Sequence, residues 1–378
     1  MLNKIINLIN YFRVARYSLY RELKFFYEPP PKKTSEIQNY ELKSKIVSEI
    51  LKFNTKCNYF YENLSIIKEL KIEGLWKYYI LKYKKKQLDS YLNKNVDEIM
   101  ILHESMFYNC LLRGISWNYS YFENINFNYT AILLFLKDLN LYKIIFKNLD
   151  SLPSNSNNQI KKWGYKHKND KIHFADVASG VQKNLILNAL NLLNEKRKYN
   201  IMEIGPGFGP LAERLFDENK INTLILLDIP STLTTAFYYL SSKFGLDKVK
   251  ILSSPSDVQK YYNLDDEKKI LLIPTCYYDL IKNIKNVDLL CNFASFSEME
   301  FDTIKFYLEN LPKEVKLIVS SNSNISASSP DPEVMAEVRE VISDKFPIPK
   351  YFDLVFSTVQ IPYFSNWRHK TCVWFKKS

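Results

Sequence analysis

The sequence predicts an α/β fold in which a mostly parallel sheet, closed by an antiparallel hairpin, follows a helical amino-terminal region. Three observations predict it. From residue 181 onward, short apolar runs alternate with amphipathic segments, the pattern of a parallel sheet covered by helices on both faces. Three of the eight glycines fall within five residues, Gly205-Pro206-Gly207-Phe208-Gly209, directly after the apolar run Ile201-Met202-Glu203-Ile204. The tail holds two strand-like runs, 352–362 and 370–377, joined by a short connection.

Taken in chain order, residues 1–26 read as an amphipathic helix, with Leu2, Ile5, Ile6, Ile9 and Phe12 at helical spacing and Arg13, Arg16, Arg21 and Lys24 following. Such a basic helix can lie on an anionic membrane surface, or pack on its own domain or a second subunit. Pro29-Pro30-Pro31-Lys32-Lys33 is a stiff linker. Residues 36–149 read as mainly helical and rich in Tyr, Phe and Lys; the charge run 82–86 is a solvated helix face, and the mixed segment 103–114 is a candidate border of a substrate site. Ser151–Asn158 is a linker by composition. Residues 163–174 read as a loop or short hairpin, and 181–194 as the helix leading into the sheet. Strands are expected at 201–204, 223–228, 270–273, 287–292 and 315–320. Helices are expected at 210–218, 232–244, 277–284, 301–310 and 331–344. Val249–Leu252 competes for the third strand; 270–273 is preferred because it ends in Pro274 and leads into a helix. The chain thus divides into a basic helical region (1–150), a linker and substrate-side loop (151–180) and the sheet domain (181–378).

The turn after the first sheet strand reads E-x-G-x-G-x-G from Glu203 to Gly209. Glycine there lets a ligand approach bare backbone. The dinucleotide fingerprint G-x-G-x-x-G has its third glycine one residue later, where this chain has Pro210, a residue suited to the first turn of a helix. Nineteen residues past Gly209, the apolar run Thr223–Leu227 ends in Asp228, followed by Ile229-Pro230. An acid at this strand end accepts hydrogen bonds from ribose hydroxyls in nucleotide-binding βαβ units; its other reading is an N-cap for the next helix. The strand Val287–Asn292 runs into Phe293-Ala294-Ser295-Phe296-Ser297-Glu298-Met299, beyond the carboxyl ends of the strands where ligands lie.

These features resemble the Rossmann-like, S-adenosylmethionine (SAM) dependent methyltransferases. The closing antiparallel hairpin is the addition that separates this class from the NAD folds. The combination of E-x-G-x-G-x-G, the strand-end Asp228-Ile229-Pro230 and N-x-x-S-F-x-E-M from Asn292 is similar to a bacterial family of sugar O-methyltransferases, over roughly residues 100–378 and best over 200–312. The resemblance implies a SAM site made by Glu203, Gly205, Pro206, Gly207, Gly209, Asp228 and Ile229, with Asn292 beside it and Glu203 near the methionine end. It implies methyl transfer to a sugar hydroxyl in surface polysaccharide synthesis, and it leaves the individual roles of Asn292, Ser295 and Glu298 open.

A hydroxyl needs a base to take its proton as the methyl moves. Glu298 is the leading candidate; its other reading is an acid favoured by a helix N-terminus. His369 and His173 are the alternatives. Ser295, Arg368 and Arg113 are candidate acceptor contacts, Arg368 as a clamp for a phosphate on an activated sugar. Carboxylates suit a divalent metal, but no ligand cluster is evident and none is expected. Neither the Pro-Cys of cytosine C5 transfer nor the Asp/Asn-Pro-Pro-Tyr/Phe of base amino transfer is present.

Residues 1–200 carry 32 Lys and Arg against 18 Asp and Glu, and residues 201–378 carry 20 against 23. The basic excess therefore lies outside the sheet domain. It suits an anionic partner (a nucleotide-sugar, an acidic lipid or nucleic acid), or reflects only a Lys-rich coding background. RNA methylation and a non-catalytic scaffold are the competing functions, with nucleic acid the less expected partner. Five scattered cysteines and no CxxC point to a reducing compartment. No apolar run is long enough to span a bilayer, and no cleavage site follows the first apolar segment. The expected location is the cytoplasm, with peripheral contact at the inner face of the membrane through residues 1–26.

Overall fold

The computed structural model describes residues 25–27, 31–57, 85–93, 95–106, 129–147, 149, 152, 163–167, 170–264, 266–324, 342–359 and 369–377. Most of the 1–26 helix, the charge run 82–84, residues 107–114 with Arg113, most of the 151–158 linker, residues 331–341 of an expected helix, and Arg368 lie outside them. In chain order the described elements are β1 (Phe25–Tyr27), α1 (Tyr40–Cys57), α2 (Lys85–Leu92), α3 (Val96–Glu104), α4 (Tyr129–Phe146), β2 (Trp163–His167), β3 (Asp170–Ile172) and α5 (Phe174–Leu190). The sheet domain continues with β4 (Tyr199–Ile204), α6 (Pro210–Phe216), β5 (Ile221–Asp228), α7 (Pro230–Phe244), β6 (Val249–Ile251), α8 (Pro255–Gln259) and β7 (Lys269–Pro274). It closes with α9 (Tyr278–Ile281), β8 (Leu289–Phe293), α10 (Phe301–Glu309), β9 (Leu317–Ser323), β10 (Phe352–Val359) and β11 (His369–Lys376).

Among the described residues, eight strands form one sheet in the order β10-β11-β9-β8-β4-β5-β7-β6. The strands from β6 to β9 pair in parallel, while β11 is antiparallel to both β9 and β10. β4 and β5 are buried along their whole length, as expected of strands covered on both faces. The sequence choice between 249–252 and 270–273 resolves in favour of both. β7 takes the place beside β5, and β6 adds an outer strand.

Alternation along the strands sorts the core into two layers. Ile201, Leu224, Leu226, Leu272, Cys291 and Val319 face one layer, with α1, α3, α5, α6 and α7 above them. Met202, Ile225, Leu227, Leu271, Leu290 and Ile318 face the other, under α9 and α10. The amino-terminal helices are continuous with the first layer. Ile46, Val47 and Ile50 of α1 and Ile99 and Met100 of α3 are buried in the same cluster, and α1 packs against α7.

Polar bonds pin this cover. Lys43 pairs with Glu104 at 2.6 Å, Tyr238 donates to Glu104 Oε1 at 2.8 Å, and Tyr91 donates to Thr234 Oγ1 at 2.9 Å. His103 stacks on Tyr238 with centroids 4.7 Å apart. The His103 end of the segment 103–114 therefore joins helix to helix in the core.

Three further expectations change. Residues 25–26, read as the end of a helix, belong to β1, because the β2–β3 hairpin offers an edge on which they pair antiparallel. The helix read at 181–194 is α5. It starts at 174 under a capping box formed by His173 and Asp176, and it gives way to a 3-10 turn ending at Asn194 in the left-handed region. Of the helix expected at 331–344, the described end, Ser343–Lys345, is a 3-10 turn.

Candidate functional site

The glycine turn sits at the carboxyl end of β4, where α6 begins. Gly205, Gly207 and Gly209 all have positive φ, at 72°, 60° and 87°, which other residues adopt only with strain. Gly209 is the N-cap of α6 and Pro210 its first residue. Two of the glycines face the protein itself. A Cβ on Gly205 would lie 2.0 Å from Ser295 Oγ, and one on Gly209 would lie 2.8 Å from Leu240 Cδ1 of α7. Glycine is thus needed at both positions for packing inside the fold. They let the turn after β8 and helix α7 close on the loop.

Asp228 ends β5 and turns back over the loop. Its Oδ2 accepts the Gly207 N–H at 3.3 Å and its Oδ1 accepts the Ile229 N–H at 2.7 Å. The N-cap reading does not hold, because α7 has Ile229 at its cap with no side-chain cap bond. Pro206 and Ile229 are both buried against this corner.

Glu203, next to last in β4, is 6% exposed, and its carboxyl accepts no hydrogen bond among the described residues. Burial, and then the charge of Asp228, push its carboxyl up to about 8. The cause is ordinary electrostatics: removal from water and a like neighbour both disfavour the anion.

The turn after β8 is held differently. The Asn292 amide donates to the Ile204 carbonyl at 2.8 Å and to Ser295 Oγ at 2.5 Å. Its Oδ1 accepts from the Phe296 N–H at 3.1 Å and from Asn322 Nδ2 at 2.8 Å. Ser295 Oγ also donates to the Ile204 carbonyl at 3.2 Å. All bonding positions of the Asn292 amide are therefore used inside the fold. Asn292 and Ser295 form a clasp that fixes the β8 turn to the last residue of β4, one step before the glycine loop.

Glu298 lies in a 3-10 turn, Phe296–Glu298, that follows this clasp. It is half-buried, with its backbone N–H donating to the Ser295 carbonyl at 3.1 Å. The helix-terminus reading does not describe it, since α10 starts at Phe301 with Glu300 as its cap.

His369 opens β11 opposite Ser323, the last residue of β9. It thus stands at the carboxyl edge of the parallel strands. Burial pulls its imidazole down to about 4 against a bond to the Ser321 backbone, so the ring is neutral at pH 7. His173 is buried and caps α5 by accepting the Ala175 N–H on Nδ1 at 3.2 Å. Its Nδ1 lone pair is thus engaged in the helix cap.

Two groups at this edge escaped sequence reasoning. Asn322, fully buried in β9, braces Asn292 and also accepts the Ser297 N–H at 3.2 Å. Its signal was present: Ser320-Ser-Asn-Ser is a polar run closing an apolar strand. Tyr307 of α10 reaches the Asp228 corner, where burial and then the Asp228 charge hold its phenol well above its usual range. No local pattern marks it. Among the described residues, no group of three or more His, Cys, Asp or Glu could hold a metal ion, and no helix is long and apolar enough to cross a membrane.

No protein-family model matches the chain, and no curated protein matches it. Solved structures do. The small RNA methyltransferase HEN1 is 15% identical over 52% of this chain and 25% of its own, with a TM-score of 0.37. The pyocyanin biosynthetic protein PhzM is 16% identical over 54% of this chain and 56% of its own, with a TM-score of 0.34. Magnesium protoporphyrin IX methyltransferase (ChlM) from Synechocystis PCC 6803, with bound S-adenosylhomocysteine, is 9% identical over 55% of this chain and 90% of its own, with a TM-score of 0.34. The chain thus spans about a quarter of HEN1 and just over half of PhzM. The sheet order, with β11 inserted antiparallel between β9 and β10, is that of the Rossmann-like methyltransferase fold.

Proposed function

We propose that this chain is a SAM-dependent O-methyltransferase acting on a sugar hydroxyl. The observation that carries the cofactor reading is the corner where the three positive-φ glycines meet two buried acids. It fits a cationic nucleoside. Asp228, ordered by two backbone N–H groups, stands where a ribose would bind, and Glu203 offers a carboxyl with no bond among the described residues. SAM, when bound, supplies a methyl group on a sulfonium, a good leaving group. The chain's own task is then to align the acceptor and take its proton.

Glu298 is assigned as that base, with His369 as the second candidate. In the overall step a bond forms between the hydroxyl oxygen and the methyl carbon, the carbon–sulfur bond breaks, and the hydroxyl proton passes to the base. The edge formed by β8, β9 and β11, where His369 is neutral, is read as the acceptor side. Arg368 and Arg113 remain proposed acceptor contacts. Residues 181–378 are read as the transfer unit, residues 1–150 as its basic cover and 151–180 as the connection on the substrate side.

The test is calorimetry of SAM, S-adenosylhomocysteine and NADH on the purified chain, with Asp228→Ala as control. The reading expects the SAM pair to bind, NADH not to, and the variant to lose about 30–100-fold in affinity. Sugar acceptors are then screened by mass gain. A second reading, methyl transfer to RNA, is favoured by the basic excess of residues 1–200. It expects tight, steeply salt-dependent RNA binding and no methylated sugar.

A further inference from the structure

Glu203 and Asp228 end neighbouring parallel strands, and alternation points both toward the layer under α5, α6 and α7. Charged groups on the helices of that layer pair with one another. On the covering helices, Arg214 is bonded to Asp176 at 2.9 Å. Lys243 lies 3.4 Å from Glu213 and 3.3 Å from Asp217, and Glu213 also accepts from Tyr239. On β8, the Cys291 thiol is pushed well up by burial and then by Glu203 itself. On α10, the Tyr307 phenol beside Asp228 is also pushed up. Asp228 accepts two backbone N–H groups, which favour its charged form. Glu203 has no such donor among the described residues, so it is the member of the pair that gives way.

We propose that this site takes up its cationic cofactor in exchange for a proton: Glu203 is neutral in the ligand-free protein and ionises as SAM enters. The inference rests on the cofactor reading above. The balance is simple. The O–H bond of the Glu203 carboxyl breaks, its proton goes to buffer, and the carboxylate left behind is neutralised by the incoming positive charge; nothing is oxidised or reduced. A carboxyl poised at about 8 is mostly protonated at pH 7, so uptake there releases close to one proton. Affinity for SAM then rises about tenfold per pH unit from pH 6 toward pH 7.5. S-adenosylhomocysteine has the same ammonium but no sulfonium charge, and draws out less of the proton. Glu203 thereby discriminates cofactor from product more strongly as pH rises.

The experiment is calorimetry of SAM and of S-adenosylhomocysteine with the full chain, between pH 6 and pH 7.5. It is run in two buffers of different ionisation enthalpy, so that the difference in heat counts the protons released. The proposal expects about one proton per SAM at pH 7, fewer per S-adenosylhomocysteine, and no release in Glu203→Gln, whose affinity stays flat with pH. Equal release with both ligands would assign the proton to the shared ammonium and overturn the proposal. So would SAM binding with equal heats in both buffers, and in that case the cofactor reading would stand. Absence of SAM binding at every pH would remove the cofactor reading and this inference with it. The wild-type measurement decides these outcomes without the variant, should Glu203→Gln fail to fold.

Discussion

The carboxyl edge of the sheet has two halves built on opposite principles. At the β4–β5 corner, the buried Glu203 carboxyl accepts no hydrogen bond among the described residues, while Asp228 accepts from the Gly207 and Ile229 N–H groups. At the β8–β9 edge, Asn292, Ser295 and Asn322 bond one another and the Ile204 carbonyl until the Asn292 amide is full. A saturated network costs little to bury and makes a rigid frame. An unsaturated acid is costly to bury and is retained where a ligand completes it. The two halves meet at Gly205, where the frame presses directly on the loop.

That junction is the place to break the comparison with the largest effect. Gly205→Val adds a branched side chain at φ 72° and at 2.0 Å from Ser295 Oγ. A loss of about 4 kcal/mol or more in urea denaturation is expected, with no SAM binding. Ser295→Gly in the same chain should return part of the loss, because it removes the clashing hydroxyl while the φ strain stays. Unchanged stability of the single variant would separate the two halves.

Glu298→Gln tests the edge as chemistry. Turnover is expected to fall about 10²–10⁴-fold with SAM affinity unchanged, since the proposed role of Glu298 is to take the acceptor's proton and not to hold the cofactor. A variant of equal activity would leave Glu298 as part of the frame and move the proton to His369.

The smallest effect sharpens the electrostatic contrast. The folded-state carboxyl of Glu203 is raised to about 8 from 4.5, so the folded chain holds more protons than the unfolded one between those values. Stability is therefore greatest below pH 4.5 as far as this group is concerned, and falls as pH rises through 8. Between pH 6 and pH 7 the loss is about 1 kcal/mol. It should vanish in Glu203→Gln, read as the difference between the two denaturation midpoints at each pH. Parallel pH profiles for the two proteins would mean that Glu203 is ionised in the folded state.

Much of this was legible locally. The alternation of apolar runs and amphipathic segments located five strands of the parallel sheet to within a few residues, because strands buried on both faces must be continuously apolar, whereas the outer strand β6 was read only as a competitor of β7. The glycine cluster marked the turn, and the closing hairpin was visible as two β-rich runs. Local pattern misled where a partner far away in the chain decided the outcome. Phe25–Tyr27 became a strand only because residues 163–165 offered an edge. The start of α5 was hidden because histidine is an unusual cap.

The sequence by itself determined the fold class, the loop and the pair of acids, since each follows from periodicity or from residue types within a few positions. Only the tertiary structure decided what those residues do. It showed Gly205 yielding to Ser295, 90 residues away, the Asn292 amide spent on the frame, and His173 capping a helix. It also placed the Glu203 carboxyl near Asp228 with no hydrogen bond among the described residues. Hydrogen-bond saturation and the field at a buried carboxyl are sums over neighbours brought together from distant parts of the chain, and no local pattern encodes them.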